Sequence, residues 1–356
     1  MEVGPIFGLE SLIMAEPGDA KIALKHGAGG RAMRALITDL FVDHFDGFGG
    51  AGIGLAEMDD GAAIPLGDQW LVITTDSHVI SPIFFPGGDI GRLAVSGTVN
   101  DLAMMGATEV LALTCSVIVE EGFERADLER VRDSIHETCR MACARIVTGD
   151  TKVMGRGEID GLVLNTTGIA LASRVVPDSG LRPGDLVILS GTAGDHGMAV
   201  MARRHELALD HGLSSDVAPL NTMIRCVLDA AGETVVAMKD PTRGGVASAL
   251  CEMAQKGGVG IRLDGPSVPI KKEVRAAAEL LGIDPLMIAN EGKALIGVRP
   301  EGAARALAAL RGHPLGRDAA IIATCTSERP RQVILETGFG RRLLQEPEGE
   351  PLPRIC

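Results

Sequence analysis

Residues 174–185 read RVVPDSGLRPGD, a density of Pro, Gly and Asp that neither a helix interior nor a central strand can carry. On both sides of this break the chain alternates strand-like and helix-like segments. Its 356 residues exceed what one hydrophobic core normally supports, so the break separates two domains. The expected organisation is a flexible segment at 1–25, a first domain at 26–173, a second at 174–340 and a mobile tail at 341–356. The fold class is α/β, with α+β mixing, in two domains of comparable size.

In the first half, WLVITTD is a short β-branched run and IDGLVLNTTGIALAS a second strand. Between them FERADLERVRDSIHETCRMACARI places Leu128, Val131, Ile135 and Ala142 on one stripe of an amphipathic helix. The second half restarts with a strand at Leu186 to Leu189, a Gly-rich turn and a helix from about Met198 to Leu209. DPTRGGVASALCEMAQKGG is a turn opening a helix that stops at Gly257 and Gly258. KALIGVRP, AAIIATCT and RQVILETGFG are later strands, and EGAARALAALRG is a helix.

Composition narrows what this architecture does. Aromatic residues are 3%, with one Trp and no Tyr, and the net charge is −13. Base-stacking platforms and Lys/Arg stripes are both lacking, which excludes nucleic acid as a partner. No apolar stretch is long enough to span a membrane. The start, MEVGPIFGLESLIMAEPGDAK, has no basic region followed by an apolar run, so no signal peptide is read. Seven cysteines, an odd number without paired spacing, do not form a disulfide framework. A cytoplasmic enzyme is the expectation.

The familiar nucleotide and metal motifs are absent. There is no P-loop, GGAGIG at 49–54 follows no strand, and His136, Cys139 and Cys143 on one helix face read as core. What stands out is a series of aspartates beside glycines and short strands. EMDDGAA carries Asp59 and Asp60, and ITTDSHV puts Asp76 at a strand end. GTVNDLAMMGA places Asn100 and Asp101 just ahead of a small-residue helix. VTGDTKVMGRG holds Asp150, Thr151 and Lys152 between glycines, and MKDPTRGG supplies Asp240 and Arg243 before a helix. Taken singly, each Asp is a cap or turn residue. Carboxylates on different elements can also converge, and hard oxygen ligands bind Mg²⁺, which brings phosphates. Lys152, Arg243 and the helix N-terminus before Val246 would then meet phosphate oxygens. KHGAGGRAM is either a phosphate cradle or lid, or a flexible lead-in to a helix. In ANEGKALI, Asn290 and Glu291 sit in a turn, where Glu291 is a solvated charge unless a base is needed near the phosphates.

The chain closes with EPEGEPLPRIC. Three prolines keep this arm extended, with a reach of roughly 30 Å. Cys356, the last residue, is not in a prenylation box. A thiol on a semi-rigid leash suits a carrier of a thioester-like group, whereas a docking tail would be captured through its carboxylate and Ile355.

Together HGAGG, DDGAA, TTDSHV, GTVNDLAMMGA, GDTKV, DPTRGG, NEG and the terminal PRIC resemble the HypE family of hydrogenase maturation factors. The likeness runs from about residue 21 to Cys356, and the terminal PRIC separates this family from the wider group of aminoimidazole ribonucleotide synthetase and selenophosphate synthetase. One departure is a Gly inside DDGAA where relatives often read DDAA. The resemblance implies the two-domain aminoimidazole ribonucleotide synthetase-like fold, a homodimer paired through the N-terminal halves, and ATP near that interface. It implies that the carbamoyltransferase HypF loads Cys356 and that ATP then drives dehydration of the S-carboxamide to a thiocyanate. The cyanide would pass to iron on a HypC–HypD complex for [NiFe] hydrogenase. Position by position, it implies Asp60, Asp76, Asp101 and Asp240 for Mg²⁺ and phosphates, with Asn100 and Arg243 also at the nucleotide. Asp150, Thr151 and Lys152 would contact phosphates or orient the thiocarboxamide. Glu291 would be the base and Asn290 its support. Two other readings stay open on the residues alone: an enzyme activating a free small-molecule amide, and a nucleotide-gated scaffold with a docking tail.

Overall fold

The computed structural model describes residues 21–27, 29–45, 52–205, 212–347 and 355–356. The expected loose segment at 1–25 falls outside this description up to residue 20, as do residues 348–354 of the tail, residues 46–51, which include the start of GGAGIG, and the end of the expected helix, 206–209. Leu24–Gly27 is a short 3-10 turn, followed by helix α1 (Arg31–Ile37), which runs on into a π-type turn at Thr38–Val42.

The first domain is built on β1 (Ala62–Leu66), β2 (Gln69–His78), β5 (Glu109–Glu120), β6 (Ile146–Met154) and β7 (Leu162–Ala172). They lie in the order β1-β2-β7-β5-β6, antiparallel except for the parallel β5–β6 pair. A small hairpin, β3 (Phe84–Phe85) with β4 (Gly88–Asp89), leads into α2 (Ile90–Met104). Asp89 caps α2, accepting from Gly91 N at 2.7 Å and Arg92 N at 3.1 Å. Every residue of α2 except Arg92 and Asp101 is buried, because the helix lies between the sheet and the rest of the molecule. The amphipathic α3 (Arg125–Met141) covers α2 with a narrower apolar face. β7 buries every second residue, the period expected of a strand with one face on a core.

The second domain is a three-layer unit. Its sheet combines β8 (Leu186–Leu189), β9 (Val235–Lys239), β10 (Gly260–Asp264), β11 (Leu295–Val298), β12 (Ala320–Thr326), β13 (Val333–Thr337) and β14 (Gly340–Leu344), in the order β14-β13-β10-β12-β8-β11-β9. Val187 and Leu189 face a core with α6 (Gly245–Gly257), while Ile188, between them, faces α5 (Asn221–Ala231) and α8 (Pro300–Gly312). Alternation along one strand therefore feeds both outer layers. The remaining helices, α4 (Asp195–Arg204) and α7 (Lys272–Leu281), turn toward the first domain. Their Met198, Val200, Val274 and Ala277 share a core with Ile90, Leu93 and Leu164 of the first domain, and with Ile355 of the tail.

Two expectations need correction. Residues 341–344, read as the start of the tail, pair with β13 as the edge strand β14. Asn100 and Asp101, read as lying ahead of a helix, occupy the last turns of α2.

Candidate active site

A cavity of about 620 Å³ opens where the two domains meet. Its walls draw Asp60 from the loop before β1, Asp76 from β2 and Asp101 from the end of α2. Asp240 comes from the residue after β9, and Glu291 from the turn before β11. Arg243 and Cys356 line the same space. Gly29 and Gly30, of the HGAGG stretch, form part of its rim.

The turn bearing Asp240 and Arg243 closes only because two glycines follow. Gly244 and Gly245 have φ of 76° and 62°, in the left-handed region. A Cβ on Gly245 would lie 2.5 Å from the Ile288 carbonyl oxygen. The start of α6 is thus pressed against the segment that leads to Glu291.

The carboxyls of Asp101, Asp240 and Glu291 are all held well above their ordinary range. Burial is the largest cause. Neighbouring carboxylates follow: Asp240 acts on Asp101 and Glu291, and Asp60 acts on Asp240. Asp60 Oδ2 and Glu291 Oε1 are buried without a hydrogen-bond partner. Such a cluster fits a divalent cation, which would relieve the repulsion, and hard oxygen donors suit Mg²⁺. Among the described residues no three acidic, His or Cys side chains converge as a metal cage. An ion here would therefore be held jointly by carboxylates and phosphate oxygens.

Behind the acids lies a network that the sequence did not disclose. Lys239 Nζ is 2.6 Å from Asp60, 3.3 Å from Glu252 and 3.5 Å from Asp178. Burial acts to lower its pKa, but these three carboxylates outweigh it and raise the value. Lys256 pairs with Asp178 at 2.6 Å, and Arg34 joins Glu252 at 3.2 Å to Glu346 of the tail root at 3.1 Å. Asp59 is pushed up to about 7 by burial, then by Asp178 and Asp60. His78 lies 3.3 Å from Asp76, and burial lowers its pKa, so the ring is neutral at pH 7. Lys239 stands beside Asp240 in MKDPTRGG, the one local signal that could have revealed it.

Asn100 and Asn290 do not line the cavity. Asn100 donates to Ala218 O and Glu291 O, both at 3.2 Å, and accepts from Leu220 N at 2.8 Å. Asn290 donates to Asp216 at 3.0 Å and to Thr192 O at 3.2 Å, and accepts from Gly194 N at 3.1 Å. Asp216 Oδ1 in turn accepts the Glu291 N–H at 3.1 Å, while its Oδ2 is charge-paired with Lys293 at 3.0 Å. The two amides therefore clamp the backbone that presents Glu291. Asp150, Thr151 and Lys152 lie elsewhere, on the exposed edge strand β6, and do not reach the cavity of their own chain.

Comparison with known proteins agrees with this architecture. The N-terminal domain model of the AIR synthase related proteins matches residues 58–172, and the C-terminal domain model matches 182–336. The chain is 46% identical over 345 residues to the carbamoyl dehydratase HypE of Rhizobium leguminosarum bv. viciae, covering 95% of this chain and 96% of that protein. A crystal structure of hydrogenase maturation protein HypE in complex with ATP superposes with a TM-score of 0.78 at 41% identity, covering 94% of this chain and all of that one. A HypE chain crystallised in a HypE–HypF complex gives a TM-score of 0.82 at 42% identity, covering 88% of this chain and all of that one.

Proposed function

The chain belongs to the HypE family of carbamoyl dehydratases, built on the AIR synthase related fold, and from that premise we propose how its residues carry out the reaction. It is an ATP-binding enzyme of hydrogenase maturation with HypF as partner. Cys356 bears the substrate as an S-carboxamide. The observation that carries this reading is that Cys356 lies on the wall of the acidic cavity, together with Glu291, Asp240 and Arg243.

A carboxamide oxygen is a very poor leaving group, and transfer of the ATP γ-phosphoryl group to it makes it a good one. The oxygen attacks phosphorus, ADP departs, and the nitrogen gives up one proton to water to leave an O-phosphorylated imidate. The second N–H proton goes to Glu291 as the C–O bond breaks, phosphate leaves and the S–C≡N group forms. The unpartnered Glu291 Oε1, on a backbone clamped at both its N–H and its C=O, is placed for that proton. Arg243 offers positive charge to the transferring group. Asp60, Asp76, Asp101 and Asp240 would share Mg²⁺ with phosphate oxygens, so that no three of them need close on one ion, and the ion would neutralise phosphate charge.

The working unit we infer is a homodimer. Strand β6 is a sheet edge with eight exposed residues and one half-buried, among them Val147 and Val153. A long unpaired edge strand of this kind, with exposed Val147 and Val153, invites pairing with another strand. Pairing through it would carry Asp150, Thr151 and Lys152 toward the nucleotide of the second copy. HypF would load the carbamoyl group, and a HypC–HypD complex would accept the cyanide for iron.

The test is the intact mass of the C-terminal peptide after incubation with HypF and carbamoyl phosphate, then with MgATP. Cys356 should gain a carbamoyl group and lose one water only when MgATP is present. An unmodified thiol throughout would favour activation of a free amide, or a docking tail.

A further inference from the structure

The end of the arm is gripped by residues outside the group that handles phosphate. Ile355 is 2% exposed and packs with Ile80, Phe85 and Ile288 in the core between the domains. Its carbonyl oxygen lies 2.7 Å from His196 Nε2. A carbonyl only accepts, so Nε2 carries the proton. Nδ1 is then the acceptor of a hydrogen bond from the Ser215 hydroxyl at 2.8 Å. The Ser215 oxygen accepts in turn from Val217 N–H at 3.0 Å. The direction of every hydrogen bond in this relay is thereby fixed. Phe85 meets the imidazole edge-on, with centroids 5.3 Å apart and planes at 90°, which fixes the ring. Burial, outweighing the Ile355 carbonyl and Asp216, keeps the ring neutral.

One residue further on, Val79 N–H donates to Cys356 O at 3.4 Å. Val79 follows β2 of the first domain, and His196 opens α4 of the second. The last two residues are thus read through their main chain from both domains, while an apolar pocket reads the Ile355 side chain.

We propose that Ser215 and His196 form the docking latch of the reactive arm, with His196 a positioning residue for dehydration. The latch sets the register of Ile355, and that register delivers Cys356 into the cavity beside Glu291. It plays no part in holding the nucleotide. The inference rests on the carrier reading of Cys356 given above.

Cyanate will S-carbamoylate the purified full-length protein, and the loss of water from the C-terminal peptide is then followed in a single turnover with MgATP. ATP affinity is measured separately. His196→Asn withdraws the donor from Ile355 and should slow dehydration on the order of ten- to a hundredfold, with ATP affinity unchanged. His196→Gln extends an amide nitrogen to where Nε2 stood and should recover most of the rate. Ser215→Ala removes only a hydroxyl, needs no repacking, and should slow the step about tenfold. A folded His196→Asn protein that dehydrates at the wild-type rate overturns the proposal. So does a parallel loss of ATP affinity, or a Ser215→Ala protein indistinguishable from wild type. If wild type itself shows no MgATP-dependent loss of water, the carrier reading falls and the latch with it. That outcome is distinct from a working wild type whose latch variants work equally well.

Discussion

At the scale of single residues, the site is a contest between burial and charge, and each outcome can be measured. Glu291→Gln keeps the shape of the clamped turn but removes the proposed proton acceptor. Dehydration should fall by at least about a hundredfold while ATP titration is unchanged. Asp59 gives a pH signature. Its folded-state value of about 7 stands above the ordinary 3.8. The folded protein therefore holds this proton more tightly than the unfolded chain between those values, and the stability it contributes is lost as pH rises from about 4 to about 7. The melting temperature of wild type should drop relative to Asp59→Asn across that window and hold a constant offset above it. Melting curves at several pH values check this, and a difference that grows beyond pH 7 would refute it. The acids of the cavity could be read from DDGAA, TTDSHV, DPTRGG and NEG because each lies where a strand or helix must turn. The roles of Asn100 and Asn290 could not. An amide that serves backbone far away in sequence looks the same, in one dimension, as an amide that serves a ligand.

Elements decide which of those residues meet. The start of α6 touches the Leu286–Ile288 segment so closely that Gly245→Ala must displace the turn before Glu291. We expect it to lower both stability and turnover, whereas Gly258→Ala, at the open end of the same helix, should cost only about 1 kcal/mol. Thermal melts and single-turnover rates of the two variants separate these effects. The edge strand β6 yields a sharper test. If its Lys152 serves the cavity of a second copy, a mixed dimer of Lys152→Ala and Glu291→Gln chains regains one intact cavity. Activity should then return on mixing two inactive preparations, and would stay absent if Lys152 acted within its own chain. Amphipathic α3 and alternating β7 were legible because each buries one face at its own period. α2 was misplaced because it is buried on almost every side, so no stripe marks where it begins. β14 was missed for a related reason: Gly-Arg-Arg-Leu-Leu on an exposed edge carries little alternation, and the adjoining Pro-rich arm masked it.

For the molecule as a whole, the last two residues are a piece of core contributed by the end of the chain. Ile355→Ala and Ile288→Ala remove the same groups from the same cluster. A fixed core position of this kind should lose about 2–5 kcal/mol. If the arm leaves its seat, as the carrier reading requires, Ile355 should lose less, because the deficit is then bounded by its docking free energy. Denaturant midpoints of the two variants give the comparison, and equal losses would show an arm that never departs. The two-domain layout was readable from the break at 174–185. The shared core was not, because its members come from both halves and from the last two residues, with nothing in their spacing to link them. That grip on Ile355 and Cys356 from both domains sets a limit on throughput. On the carrier reading proposed for Cys356, chemistry would happen with the arm seated and transfer to an acceptor with it free. Strengthening the grip hastens the first step and starves the second, and weakening it does the reverse. The arm thus follows the rule for adsorption on a working surface, where the best output comes at intermediate binding strength. Variants that hold it more tightly should accumulate thiocyanate and deliver less of it.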